Sequence, residues 1–503
     1  MTAVLTGSVE SVALDSPGYA VRAPGLQGTA EEFPKGATAS RTTSRVLVGG
    51  FSHLDQALAS EGVAEVKVIE VDLRPVPVAG ATPLRSEANE PQLELEVPDL
   101  GPNKGQVVMS IDEAGAVRWH FPEPAKPSDG EASRGGGAVK RFRIVATVPP
   151  LPASDKVNQR SIFGAIGRRI LRVFVYPITD PVVGFIADRI AKNFEDRKRP
   201  YGLRSFTAAN RADANVPTLA KEEIAAMRDK GRILLFIHGT FSTAHGGFGD
   251  ISAATLDTLH QVYEGRVIAF NHQTLSASPT DNVQWLLANL PNGDIEFDIV
   301  CHSRGGLVSR VIADNRAPVD TTRVSVRRLI FAATPNQGTA LAEPDHMVNM
   351  LDRLTTALTL APTGPVTETL EAIVTAVKVI GHAGLKSLDG LASMNPKGPF
   401  LGAMNAAGAR ARDYYAFASN YEPTDRGLRA LVTGAADKAV DFIFREAGND
   451  LVVPTDGVFQ ENGGNGFPMR DDHVFKFPPE RGVMHTNFFS QPEVNKRLVE
   501  WLS

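Results

Sequence analysis

The stretch Phe297-Asp298-Ile299-Val300-Cys301-His302-Ser303-Arg304-Gly305-Gly306-Leu307-Val308-Ser309-Arg310-Val311-Ile312 changes structural period in its middle. Its first part is a mostly apolar run of the kind that forms a strand buried on both faces. Its last part carries apolar residues at helical spacing. Between them lies a serine flanked by small residues. A serine at such a strand-to-helix turn sits on tight, strained backbone that lifts its hydroxyl above the sheet, and small neighbours let the helix approach the strand. The helix N-terminus also brings partial positive charge beside any oxyanion that forms there. The pattern is G-x-S-x-G with Cys301 in place of the first glycine. Cysteine is small, so the turn is expected to survive.

Outward from this stretch the alternation continues. Arg232 to Ile237, Val267 to Phe270, Arg328 to Ala333 and Tyr414 to Ala418 are further apolar runs, and helix-like stretches such as Val494 to Leu502 accompany them. Strands alternating with helices predict a mainly parallel sheet over residues 231–503. Upstream the texture differs. Residues 1–44, rich in Ser, Thr, Gly and Ala without a sustained period, read as a flexible lead-in. Over 45–150, period-two runs at Ala64 to Leu73, Leu93 to Val97, Val107 to Ile111, Val117 to Phe121 and Phe142 to Val148 predict a small antiparallel β-domain. Pro122 to Gly137 reads as a mobile hairpin loop inside it. Residues 151–230 read as a helical linker. Its part from 160 to 200 is apolar and basic, with Arg168, Arg169 and Arg172, and Pro177 and Pro181 divide it into two helical pieces. Such a segment suits peripheral contact with an anionic membrane surface or a bridging helix pair packed on the C-terminal half; the second is the favoured reading.

Composition narrows the classes. The 503 residues are 43% hydrophobic and 22% charged, which excludes wholesale disorder. With 52 Lys+Arg against 57 Asp+Glu the net charge is −5, so nucleic acid is not an expected partner. One cysteine excludes an internal disulfide framework and any Cys-rich zinc site. The N-terminus lacks the basic and apolar regions of a signal peptide, and no stretch is apolar for the length of a transmembrane helix. A soluble, cytoplasmic chain is the expectation.

A serine nucleophile requires a base, and the base an orienting carboxylate. Gly448-Asn449-Asp450-Leu451-Val452-Val453-Pro454 offers an acid on a turn before an apolar run, and Met484-His485-Thr486-Asn487-Phe488-Phe489 offers a histidine ahead of the final helix. Ser303, Asp450 and His485 are therefore the expected catalytic set. The competitors are Asp456 and Asp441 for the acid, and His473 for the base. Upstream, the first buried strand ends in Phe236-Ile237-His238-Gly239-Thr240-Phe241. An apolar strand ending in His-Gly resembles the place where α/β-hydrolases carry their first oxyanion-hole loop, which implies that the backbone N–H of Thr240 pairs with that of Arg304, with Phe241 the alternative donor. His238 and Gly239 are expected to support this loop rather than to transfer protons.

Taken together, these motifs resemble the α/β-hydrolase superfamily, and within it the lipase-like serine esterases. The resemblance rests on FIHGT at 236–240, CHSRGG at 301–306, Ala333-Thr334-Pro335-Asn336-Gln337-Gly338-Thr339, NDLVVP at 449–454 and MHTNFF at 484–489, in that order. It covers residues 230–503 and leaves the N-terminal β-domain outside. It implies an α/β-hydrolase fold with a mainly parallel sheet and a helical cap insertion at about 340–412, preceded by the antiparallel β-domain. It also implies ester hydrolysis through an acyl-enzyme with no organic cofactor and no metal. The insertion holds two apolar helix-like runs, Met347 to Leu360 and Val366 to Ile380, able to line an acyl pocket as a mobile lid or simply to pack on the core.

The leading reading is a serine carboxylester hydrolase, an esterase or lipase, acting on a small-molecule or lipid-like ester with an apolar acyl group. The alternatives are amide, thioester or phospholipid cleavage on the same residues, or a non-catalytic binding module of hydrolase fold. The sequence does not set acyl length, alcohol group or oligomeric state.

Overall fold

The computed structural model describes residues 2–33, 46–76, 92–124, 138–145, 167–178, 186–314, 318–383, 388–406, 411, 413–424, 448–460 and 469–503. Asp441 and most of the loop expected over 122–137 lie outside them. The N-terminal part contains β1 (Thr2–Thr6), β2 (Val12–Ala13), β3 (Ala20–Arg22), β4 (Leu26–Phe33), α1 (Val46–Ser60), β5 (Ala64–Pro75), β6 (Gln92–Pro98), β7 (Lys104–Asp112), β8 (Val117–His120), β9 (Val139–Val145), β10 (Gly167–Pro177) and α2 (Ile186–Lys198). These strands form two antiparallel sheets, ordered β1-β4-β5-β10-β7-β8 and β2-β3-β6-β9. Leu26, Val71, Leu95, Phe142 and Leu171 fill the space between them.

Two expectations are corrected here. The first 33 residues are not a loose lead-in. β4 pairs with β5 along its length and β1 pairs with β4, which buries Leu5, Leu26 and Ala30. Their partners lie far along the chain, so no local period announces them. The stretch containing Arg168, Arg169 and Arg172 is likewise not a helix but strand β10, paired with β5 on one side and β7 on the other. Leu171 and Val173 face the neighbouring sheet, while Phe174 and Tyr176 face the opposite core. Arg172 is buried and joins Asp55 at 2.7 Å and Glu65 more closely still. Arg168 pairs with Glu70 at 3.0 Å and Arg169 is buried, so over Gly167–Pro177 an interior strand stands where a basic helix was expected. Residues 160–166 and 179–185 lie outside the described set.

The C-terminal part contains β11 (Gly202–Ser205), α3 (Lys221–Lys230), β12 (Ile233–Ile237), α4 (Ala244–Phe248), α5 (Ala253–Val262), β13 (Val267–Asn271), α6 (Pro279–Asn289), β14 (Ile295–His302), α7 (Gly305–Ala313), β15 (Val324–Ala332), α8 (Met347–Leu360), α9 (Val366–Ala383), α10 (Asp389–Ala392), α11 (Pro399–Ala406), β16 (Asp413–Ser419) and β17 (Val474–Phe477). The last helix, Pro492–Leu502, is α12. The sheet runs β11-β13-β12-β14-β15-β16-β17, parallel except for the edge strand β11. This is an α/β-hydrolase fold. The chain builds outward from β12 to β13, then returns to lay β14 on the other flank. That reversal opens a crevice at the carboxyl ends of β12 and β14, the usual place for a site in an open α/β sheet.

One face of this sheet packs with α5 and α12 through Phe236, Phe248, Leu259 and Leu498. The other shares a continuous core with α8, α9, α1 and the outer face of the six-stranded sheet. Among the described residues, no helix is long and apolar enough to cross a membrane. Because Arg172 is a buried cation held between two carboxylates, Arg172→Ala should lower stability by about 3 kcal/mol by breaking a buried ion-pair cluster. Urea denaturation of the full chain measures it; an unchanged midpoint would contradict the interior-strand placement.

Candidate active site

The turn after β14 is held by contacts that only small residues allow. Ser303 adopts φ 51°, in the left-handed region, and its N–H donates to Ala332 O at 2.8 Å. A non-glycine residue there is strained and needs surroundings that over-determine it. A Cβ on Gly305 would lie 2.3 Å from Ile237 O, and one on Gly239 would lie 2.6 Å from Ser303 Cβ. The two loops at the carboxyl ends of β12 and β14 thus touch through glycine. Cys301 fills the first position of the pattern with its thiol turned to Ile330 O at 3.2 Å. Burial pushes that thiol up to about 12, so it stays protonated and chemically quiet.

Three side chains from separate loops meet at this turn. His485 Nε2 lies 3.0 Å from Ser303 Oγ, and its Nδ1 lies 2.9 Å from Asp450 Oδ2. An ionised carboxylate only accepts, so Nδ1 carries the proton and Nε2 is left to accept from the serine hydroxyl. The other carboxylate oxygen of Asp450 accepts from the Val452 and Val453 amides at 3.0 and 2.7 Å. The His485 amide donates to Asp450 O at 2.9 Å, which ties the two loops together. Ser303, Asp450 and His485 are all buried. The competitors sit elsewhere. Asp456 is largely exposed and pairs with Lys476 at 3.4 Å, while His473 contacts Tyr414 O and stacks on Tyr415.

The loop after β12 also presents its backbone here. Phe241 has φ 61° and its N–H donates to Thr274 Oγ1 at 3.3 Å. The N–H groups of Thr240 and Arg304 have no acceptor among the described residues. His238 is buried, stacks on His272 with centroids 4.2 Å apart, donates from Nδ1 to Gly239 O at 3.0 Å and accepts from the His272 amide at 3.2 Å. Burial holds its pKa well below the usual histidine range, so it is a neutral brace.

Some contributors escape sequence reading. His302, next to the serine, donates from Nε2 to His485 O at 2.9 Å, and burial drops its pKa to about 3. The Arg304 side chain is fully buried and donates to Gly390 O at 2.8 Å and to Ala277 O. Glu195, on α2, accepts from the amides of Thr274, Leu275 and Ser276, which steadies the loop holding Thr274. Position beside Ser303 was a signal for His302 and Arg304; Glu195 gave none. Over the serine lies a cavity of about 60 Å³, lined by Met350, Leu354 and Leu358 of α8 together with Met394, Phe488 and Phe489. Among the described residues no His, Cys, Asp and Glu cluster is arranged to hold a metal ion.

A family described as a domain of unknown function, DUF7379, matches residues 198–503. No curated protein matches the chain by sequence. Among solved structures it is similar to the Bacillus licheniformis lipase BlEst2, with 13% identity over 60% of this chain and 98% of that one and a TM-score of 0.31. It is similar to lipase 1 from Pelosinus fermentans at 14% identity, over 54% and 98% of the two chains, with TM-score 0.33. It is also similar to the phospholipase PlaB from Legionella pneumophila at 14% identity, over 54% of this chain and 60% of that one, with TM-score 0.33.

The Gly239 contact yields a direct test. Gly239→Ala forces a methyl group onto Ser303 Cβ and the His302 carbonyl and should cost about 1–3 kcal/mol as overpacking, visible as a lowered Tm. A variant as stable as the parent would show that the two loops have room to part.

Proposed function

The chain belongs to the DUF7379 family, and we propose that it is a serine carboxylester hydrolase acting on esters with an apolar acyl group. The observation that carries this reading is the hydrogen-bonded line Ser303–His485–Asp450, set on a left-handed serine turn at the sheet's switch point. Ser303 Oγ attacks the ester carbonyl as His485 Nε2 takes its proton. The carbonyl oxygen becomes an oxyanion, held by the amides of Thr240 and Arg304. Thr240 is preferred over Phe241 because the Phe241 amide is already engaged by Thr274. The tetrahedral intermediate collapses, the His485 proton passes to the leaving alkoxide, and the acyl group stays on Ser303. Water then attacks the acyl carbon, with its proton going to His485, and the acid leaves as Ser303 recovers its proton. Asp450 holds the tautomer and stabilises the imidazolium of each step.

The surroundings favour this use of His485. Its ring neighbour His302, with centroids 5.0 Å apart, is held neutral by burial and places no positive charge beside the imidazole. The insertion carrying α8 to α11 acts as a cap, and the apolar residues of α8 face the serine across the cavity and receive the acyl chain.

Ser303→Ala and Asp450→Asn should each lower turnover of p-nitrophenyl butyrate by about a thousandfold or more, with Asp456→Asn at the parent rate. A fluorophosphonate should label Ser303 in the parent chain alone. The opposite order of the two aspartates would move the acid to Asp456. Leu354→Trp, filling the cavity, should shift preference toward acetate esters; a preference for longer acyl groups would exclude α8 from the acyl site.

A further inference from the structure

We propose that the N-terminal β-sheets clamp the cap shut, and that the site therefore takes water-soluble esters of short acids, about two to four acyl carbons, without activation by a lipid surface. The proposal rests on the hydrolase reading above and narrows its substrate class.

The clamp is a strand edge pairing with helix side chains. β8 is the last strand of the six-stranded sheet, so one row of its backbone groups lacks a strand partner. α8 supplies that partner. Thr356 Oγ1 accepts from the Val117 amide at 2.9 Å and donates to Val117 O at 3.3 Å. Asp352 Oδ1 accepts from the Trp119 amide at 2.8 Å, and Thr355 Oγ1 accepts from Trp119 Nε1 at 3.1 Å. The geometry fits because two strand residues and one helical turn span similar distances, roughly 6–7 Å against 5–6 Å. Val117, Trp119, Asp352, Thr355 and Thr356 are all buried, so lifting α8 would strand several polar groups together.

The same helix closes the site from its opposite side. Met350, Leu354 and Leu358 recur every fourth residue and face the cavity. Asp352 and Thr356 project from the far side of the helix toward β8. Between them, Arg353 donates to Leu451 O at 3.2 Å, beside the proposed acid Asp450. The second cap helix is fastened as well. Tyr176 of β10 donates to Lys378 O at 3.1 Å, and Lys378 Nζ donates to Glu61 O at 2.8 Å just after α1. His245 beside the oxyanion loop and Arg199 after α2 both reach Glu368, at 2.8 and 3.1 Å.

Two consequences set the substrate. The cavity over Ser303 measures about 60 Å³. At about 10–15 Å³ per water-sized group, it holds roughly four to six heavy atoms, the size of a short acyl group. A cap that opens onto lipid also needs an apolar outer face. Among the described residues the large exposed hydrophobics are Val4, Val9, Leu100, Val139 and Val262, scattered and none on α8 to α11.

The test uses the full chain with p-nitrophenyl acetate, butyrate, octanoate and palmitate, dissolved and emulsified, and with fluorophosphonate labelling read alongside. The parent should peak at acetate to butyrate, fall at least about tenfold by octanoate because added methylenes find no pocket, and show no rise in rate on emulsification. Asp352→Ala combined with Thr356→Val should raise the octanoate-to-butyrate ratio by about fourfold or more, the gain from admitting at least one further methylene. Asp352→Asn keeps the acceptor for Trp119 and should hold the parent ratio. If the double variant does not fold, Trp119→Phe, which of the clamp's hydrogen bonds loses only that to Thr355, serves in its place. A palmitate optimum, a jump in rate at the emulsion, or an unchanged ratio in the loosened variant overturns the clamp while Ser303 labelling leaves the hydrolase intact. Neither labelling nor turnover of any ester would overturn both.

Discussion

The contact between two backbone turns, Ile237 to Gly239 after β12 and Ser303 to Gly306 after β14, governs the arrangement of the site. Gly239 presses on the serine Cβ, and Gly305 lies against the carbonyls of Ile237 and His238. At such distances no side chain fits, so the spacing of the two loops is set by glycine and the pleat of adjacent parallel strands. From that spacing follow the left-handed serine, its hydroxyl turned to His485, and two neighbouring amides with no acceptor among the described residues. Phe241, Ala333 and Leu451 are also non-glycine residues with positive φ. Three strand ends and the acid-bearing turn therefore carry backbone strain around one crevice, as expected where packing rather than local preference fixes the conformation.

Electrostatics in this crevice depends on what is kept neutral. His238, His272 and His302 are buried and shifted down, so three imidazoles near the serine add hydrogen bonds without adding charge. The charges that are buried have dedicated partners. Glu195 accepts from three successive amides, and Arg304 donates to carbonyls of the α6 approach and the cap. The Arg304 amide has no acceptor among the described residues, and its guanidinium links the serine turn to the insertion.

The insertion itself belongs to two cores. Its α8 presents apolar residues to the serine and polar ones to β8, while α9 is covered by α1 and α2. The N-terminal sheets are thereby part of the architecture over the site rather than an appendage to it. Asp352 carries the cost of this arrangement: burial raises its carboxyl to about 7, which a hydrogen bond from Trp119 only partly offsets.

The local signals were those in which one residue's chemistry or one short period suffices. The apolar runs of β12 to β16 and the serine turn with its glycines were legible because strand burial and tight turns leave their mark within a few residues. Asp450, Asp456 and His473 all have plausible neighbours in sequence, and it is the fold that brings Asp450 and His485 to Ser303 while Asp456 pairs with Lys476 and His473 stacks on Tyr415. The same holds for the first 33 residues and for β10, whose strand character comes from pairing with β5 and β7 rather than from their own period. It holds most strongly for the cap. Sequence shows two apolar helices there, but whether they swing or stay is decided by Thr356 and Asp352 meeting a strand edge more than two hundred residues away, a contact no local pattern encodes.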